Sequence, residues 1–244
     1  MEKLKKKLDE LIQSLSEKKK EEILARLGDL VSVYPFNEYE YIISVLLGMD
    51  KLSMDDYYEI RDEYISRNMY LYIFEISSPR GFGESWAQGH LKELVPDLIK
   101  PTKKDDKGYG GQYDFILPYD GNNIRIEVKA SRAVDADKEE PLYVKALSSD
   151  SKNNFWMNFQ QVKPACCDVF VLIAVWRDVI KYWVWTSKEF ENNKYYSKGQ
   201  HRGNVGEGQL HYKQDNISQF NKYLCRSDKL KECIISAYCR QIGK

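Results

Sequence analysis

Asp114, Glu127 and Lys129 are the residues whose types and spacing can do chemistry together. They lie in two stretches of alternating polarity, Tyr113-Asp114-Phe115-Ile116-Leu117 and Ile124-Arg125-Ile126-Glu127-Val128-Lys129, joined by Tyr119-Asp120-Gly121-Asn122. Side chains of an extended strand leave alternately on opposite faces, so Arg125, Glu127 and Lys129 share one face and Ile124, Ile126 and Val128 the other. An Asp-Gly pair between two such runs predicts a hairpin, which returns the second strand beside the first and carries Glu127 towards Asp114. Two carboxylates converging from neighbouring strands suit a hard divalent cation such as Mg²⁺, which takes oxygen ligands and keeps some of its waters. A lysine beside that ion can hold and help deprotonate a water, while the ion offsets charge on a phosphate under attack. Acid, acid and base around Mg²⁺ form a phosphodiester-hydrolysis set.

The acid-x-lysine triplet alone carries little. It occurs four times, as Glu17/Lys19, Asp105/Lys107, Glu127/Lys129 and Asp150/Lys152. The first falls in a helical pattern, the second in a polar loop, and the fourth opens an expected helix. Only Glu127/Lys129 ends a strand whose hairpin partner carries an aspartate. Without chemistry, Glu127 and Lys129 would form a surface ion pair worth under about 1 kcal/mol.

The elements that must hold these residues are legible from periodicity. Leu4, Leu8, Leu11, Ile12 and Leu15, then Ile23, Leu24, Leu27 and Leu30, recur at helical steps. Asn37, with Glu40 three residues on, caps a second helix that Gly48 stops; Ser53 caps a third, expected to run through Ile73. Residues 1–78 thus read as an all-helical region with no chemistry of its own, suited to packing or dimerisation. Residues 79–244 read as the α/β part. A helix spans 84–95, and the hairpin follows a Lys- and Gly-rich loop. The Gly108-Tyr109-Gly110-Gly111 run lacks the Lys-Ser/Thr of a phosphate loop and precedes a strand. Residues 131–141 read as a mobile polar stretch and residues 148–162 as a helix. The apolar run from Asp168 to Trp176 is a central strand covered on both faces. Lys181 to Trp185 is its return, and helices from Asn216 close the chain. Trp156, Trp176, Trp183 and Trp185 read as core. The fold class is α/β: a mixed central β-sheet flanked by helices, with an all-helical amino-terminal region.

Composition narrows the setting. With 244 residues, 43% of them hydrophobic and 13% aromatic, the chain buries a sizeable core and is not disordered. No uncharged apolar run is long enough to span a membrane, and charged residues interrupt the start of the chain, so a cytoplasmic protein is expected. Five cysteines, two of them adjacent, make a poor disulfide framework, and three histidines with no CxxC pair argue against structural zinc. Net charge is zero, yet residues 38–75 hold nine acids to three bases, and residues 191–244 hold ten bases to five acids. The surface is electrically uneven.

The stretch Asp114…Glu127-Val128-Lys129 resembles the PD-(D/E)xK nuclease superfamily, and within it the type II restriction endonucleases. The resemblance covers about residues 84–186, where the order helix, hairpin, helix, strand, strand matches the superfamily core; Tyr113 stands where many members have proline. It implies Mg²⁺-dependent, site-specific cleavage of double-stranded DNA by a homodimer, with a cognate DNA methyltransferase protecting the host. Asp114 and Glu127 would match the metal-binding carboxylates and Lys129 the catalytic lysine. Glu84 would match the extra acid of the preceding helix, and Gln160 or Gln161 the glutamine of the following one. As ordinary residues, Glu84 favours a helix start and the glutamines solvate a helix.

DNA contacts follow more loosely. Arg132, Lys138 and Lys145 come soon enough after the site to grip phosphates. Asn153 and Asn154 could assist. The segment 200–209 carries His201, Arg202, Asn204 and Gln209, side chains that read base edges, among glycines that admit a close backbone. Two other functions share these residues: a structure-specific repair or recombination nuclease, which would cut without sequence preference, and a non-catalytic DNA-binding protein with a nuclease-like core. Discrete fragments of phage DNA in Mg²⁺, a smear, or intact DNA separate the three.

Overall fold

The computed structural model describes residues 6, 10, 13–21, 43, 46–199 and 206–243. The chain divides into two compact units, Met1–Met69 and Tyr70–Lys244. In the first, Ile43 and Ile60 form a small core with Leu47, Leu52, Tyr57 and Tyr64 against them. Its best-defined helix, α1 (Met54–Arg67), starts at Ser53. The Ser53 hydroxyl accepts the Asp56 N–H while the Asp56 carboxylate accepts the Ser53 N–H, a reciprocal cap. The helix stops short of Ile73: the Asn68 side chain donates to the Tyr64 carbonyl and its N–H to Ile65, turning the chain out. Leu71–Glu75 is a separate 3₁₀ turn. Asn37 and Glu40 lie outside the described residues.

The second unit, which already includes that 3₁₀ turn, continues with a π-helical stretch, Gly81–Ala87, that runs on as α2 (Gln88–Leu94). Strand β1 (Phe115–Tyr119) then turns through Asp120 and Gly121 into β2 (Asn122–Arg132). Both turn residues have positive φ, 50° and 73°. This is the paired left-handed geometry that fits a two-residue hairpin and that Asp-Gly tolerates. The long buried run forms β5 (Val169–Val175), every residue of it buried. It lies parallel to β2 and antiparallel to β6 (Ile180–Thr186), whose edge is closed by β9 (Leu224–Cys225). The five-stranded mixed sheet has the order β1-β2-β5-β6-β9. Arg125 fixes the β2/β5 register: Asp168 accepts its backbone N–H at 2.9 Å and its guanidinium on both oxygens.

A second sheet departs from the sequence reading. Residues 148–162 contain no helix; Phe155–Val162 is strand β4. Phe155, Met157, Phe159 and Val162 are buried, so the apolar period is close to two, and Gln161, at φ 54°, marks a bulge. Residues 131–141 are also more ordered than expected: β2 runs to Arg132, Ala133 is buried, and β3 (Val134–Asp135) pairs with β4. The end of the glycine-rich segment 200–209 belongs to strand β8 (Gly208–Lys213), flanked by β7 (Tyr196–Lys198). The order is β3-β4-β8-β7. Its inner face packs Met157, Phe159, Leu210 and Tyr212 against Trp183 and Trp185 in one aromatic core. The Trp185 indole donates to the Tyr212 hydroxyl at 3.1 Å. Trp176, Trp183 and Trp185 are core as expected; Trp156 is not, being 37% exposed.

The chain crosses from β2 to its parallel neighbour β5 through β3 and β4, not through the helix expected there. After α3 (Ser187–Glu191), the end of the chain is a 3₁₀ stretch, Ile217–Tyr223, then β9 and α4 (Leu230–Ile242), instead of helices alone. Cys225 and Cys233 form a disulfide between β9 and α4, a pairing the odd cysteine count did not suggest. Among the described residues no helix is long and apolar enough to cross a membrane.

Candidate active site

Hairpin register assembles the centre. Phe115 lies opposite Ile126, and just before the strand the Asp114 N–H donates to the same Ile126 carbonyl at 2.9 Å. This brings the Asp114 side chain close enough to Glu127 for each carboxylate to act on the other. Lys129 follows on the same face, its ammonium 2.7 Å from the Glu127 carboxylate. The three side chains meet on the floor of an open cleft of about 790 Å³.

Asp114 is held on both oxygens. One accepts the Val128 N–H at 2.8 Å; the other accepts the Gln88 side-chain amide, whose own oxygen accepts the Lys100 ammonium. Lys100 in turn sits 4.3 Å from the centre of the Phe115 ring. Gln88 is thus a positioning residue that the sequence reading passed over. Its signal in the sequence is its place about one helical turn after Glu84.

The electrostatics are those of two buried anions facing each other. Burial pushes Glu127 up to about 7; Lys129 partly offsets this, and the neighbouring Asp114 adds to it. Burial also raises Asp114, against the pull of the Val128 N–H and of Lys129. For Lys129, burial favours the neutral amine, but Glu127 and Asp114 outweigh it and hold the group raised. The Glu127–Lys129 attraction acts on both partners, yet Glu127 still ends high because desolvation and the second carboxylate work together. Tyr109 is raised as well, by burial and then by Asp114 and Glu127. A doubly charged cation between the carboxylates would relieve this strain. The donor set is hard oxygen, which fits Mg²⁺; Asp114 and Glu127 could hold it. Among the described residues no group of three His, Cys, Asp or Glu converges on one point. Two protein carboxylates leave the remaining positions to water and substrate, the mode Mg²⁺ favours.

The other expected site residues divide. Glu84 lines the cleft but is well exposed and pairs with Arg80 at 3.1 Å. Gln160 and Gln161 line it too, from a strand, so they are not the glutamines of a following helix. Arg132 reaches the cleft wall, yet its guanidinium donates to the Ile73 and Ile76 carbonyls at 3.1 and 2.7 Å and stacks over Phe82; burial lowers it to about 10. Lys138, Lys145, Asn153 and Asn154 gather around the β3 end. The buried Asp135 accepts the Asn153 amide at 2.8 Å and lies 3.8 Å from Lys138. The Asp135 and Ala136 N–H groups donate to the Lys145 and Asn154 carbonyls. Gln209 sits on β8, where its side-chain oxygen accepts the Asn158 amide at 3.3 Å. His201, Arg202 and Asn204 lie outside the described residues. Of the adjacent cysteines, Cys167 is buried, while Cys166 is partly exposed on the cleft wall.

No family model matches the chain, and no curated protein matches it. Among solved structures, a bacterial homing endonuclease, I-Ssp6803I, is similar over 69% of this chain and 100% of that chain, at 12% identity and a TM-score of 0.37. At that distance the likeness says nothing about activity, which must be read from the cleft itself.

Proposed function

We propose that this chain is a Mg²⁺-dependent, site-specific endonuclease for double-stranded DNA of the type II restriction kind. The observation that carries the reading is the meeting of Asp114, Glu127 and Lys129 on one face at the floor of an open cleft. Asp114 and Glu127 would hold the ion, and when bound it offsets the negative charge that develops on the phosphate as water adds. Gln88 and the Val128 N–H keep the Asp114 carboxylate aimed into the cleft. Lys129 orients the attacking water and the phosphate oxygens by its ammonium hydrogens. Its pairing with Glu127 also helps keep that carboxylate charged at neutral pH.

Cutting both strands takes two such centres, hence two copies of the chain. In the helical region assigned to residues 1–78, α1 exposes Met54, Tyr58 and Ile65, apolar groups suited to a like-subunit contact. Residues 79–244 would then form the nuclease part, working in the cytoplasm beside a cognate methyltransferase. The test is Lys129→Ala against the unaltered chain on phage DNA in Mg²⁺. Discrete fragments from the unaltered chain, and a loss of cutting of about 100-fold or more in the folded variant, support the reading. Equal cutting by the variant refutes the role of Lys129.

A further inference from the structure

The cleft has a second wall with a composition unlike the rest of the surface. Strand β4 buries Met157 and Phe159 and turns Trp156, Asn158 and Gln160 outward; β8 buries Leu210 and Tyr212 and turns Gln209, His211 and Lys213 outward. Register sets Trp156 across from Lys213 and Asn158 across from His211. Three amides, an imidazole, an indole and one lysine therefore share the outward face of the two inner strands of this sheet; the carboxylate just before β8, Glu207, also lines the cleft but is buried and paired with Lys163 at 3.0 Å. A merely solvated face of this chain looks different: α1 alone carries Asp55, Asp56, Glu59, Asp62 and Glu63. The six side chains are also arranged. Trp156 and His211 lie ring to ring at 5.4 Å, and the Asn158 amide donates to Gln209 at 3.3 Å.

This face is continuous with the catalytic floor. Trp156, Asn158 and Gln160 line the same cleft as Asp114, Glu127 and Lys129. The Asn158 N–H donates at 2.9 Å to the hydroxyl of Ser131, two residues beyond Lys129 on the same strand. A phosphate seated at Lys129 thus brings the groove beside it onto the ribbon. The major groove admits a two-stranded ribbon, and a primary amide pairs with the two hydrogen-bonding atoms of an adenine edge. Exposed carboxylates on this face would be repelled by the flanking phosphates, which Lys213 attracts; the one beside it, Glu207, is buried and neutralised by Lys163.

We propose that the outward face of β4 and β8 reads base edges in the major groove, with Gln160 and Gln209 as adenine-reading amides and Lys213 as a phosphate contact. This rests on the reading of the cleft as a DNA-cleaving centre. It moves Gln160 from the catalytic set to the reading set, and it places sequence selection on a strand pair instead of a glycine loop.

The experiment uses the full chain, Mg²⁺ and a pool of short duplexes with randomised centres, with the cut ends sequenced. The unaltered chain is expected to cut at a defined sequence. The double variant Gln160→Ala with Gln209→Ala should lose its preference for an adenine by about 10- to 100-fold at one or more positions. Lys213→Ala should lower cutting of all sequences alike and flatten the salt dependence. Unchanged sequence preference in the double variant overturns the proposal. Where that variant cuts too slowly to sequence, duplexes are selected from the same pool by binding in Ca²⁺. Flattened preference there supports the proposal and retained preference overturns it. Cutting without any preference by the unaltered chain defeats this inference and the site-specific part of the reading beneath it, and leaves a nonspecific nuclease. No cutting and no binding by the unaltered chain defeats the nuclease reading beneath it.

Discussion

The hairpin β1–β2 and the strand pair β4–β8 line one cleft, yet they are built on opposite principles. The hairpin is local: eight consecutive residues, from Leu117 to Ile124, carry the turn and the first three ladder pairs. Its left-handed Asp120 and Gly121 announce themselves as an Asp-Gly pair, and the flanking alternation confirms the strands. The β4–β8 pair is non-local, joining Trp156 to Lys213 and Phe159 to Leu210. Its only local signal is a short period-two run, Phe-Trp-Met-Asn-Phe, that a bulge at Gln161 interrupts before Val162. Placing the three candidate site residues takes few residues close in sequence. Building its second wall takes partners some fifty residues apart, and their meeting is decided by tertiary packing, not by propensity.

The largest expected effect tests whether β4 is the buried strand described. Phe159→Ala removes a fully buried ring between Tyr212 and the neighbouring core and should lower the unfolding free energy by about 3–5 kcal/mol in denaturant titrations. An effect near zero would return residues 148–162 to a solvated helix.

Next comes the pH dependence of the metal-free protein. Glu127 binds its proton more tightly in the folded chain, at about 7 against the ordinary 4.5. Stability from this group is therefore fully present below about 4.5 and is lost as pH rises through 7, by up to about 3 kcal/mol. Melting in EDTA between pH 5 and 8 should show the decline, and Glu127→Gln should flatten it; a flat profile in the unaltered chain would separate the two carboxylates.

Gly208→Ala is smaller and specific to the second sheet. A Cβ there meets the Ser197 carbonyl at 2.4 Å and the Tyr196 ring at 2.5 Å, so β7 must shift. A destabilisation of about 1–3 kcal/mol is expected, with β7 amides exchanging faster than those of β5.

Smallest is Gly121→Ala, which keeps its space but not its φ of 73°. A loss of about 1–2 kcal/mol in thermal melts would match the turn geometry.

Particular residues show what the sequence made legible. Asp114, Glu127 and Lys129 were placed by alternation and one turn, and the central strand by an uninterrupted apolar run from Val169 to Val175. Gln88 escaped because its role depends on the angle at which α2 crosses the hairpin. Arg132 reads as a phosphate contact, but its carbonyl partners, Ile73 and Ile76, lie more than fifty residues away. Asn153 reads the same way and is engaged by Asp135 across a loop. Side chains whose partners lie one strand away were readable; those whose partners lie across the fold were not.

The proposed chemistry requires Asp114 and Glu127 to hold a divalent cation jointly. Calorimetric titration of the chain with Mg²⁺ at pH 8 measures this without any DNA. Saturable binding is expected from the unaltered chain, with its loss in both Asp114→Asn and Glu127→Gln, each still folded by circular dichroism. Equal binding by either variant, or none by the unaltered chain, would contradict it.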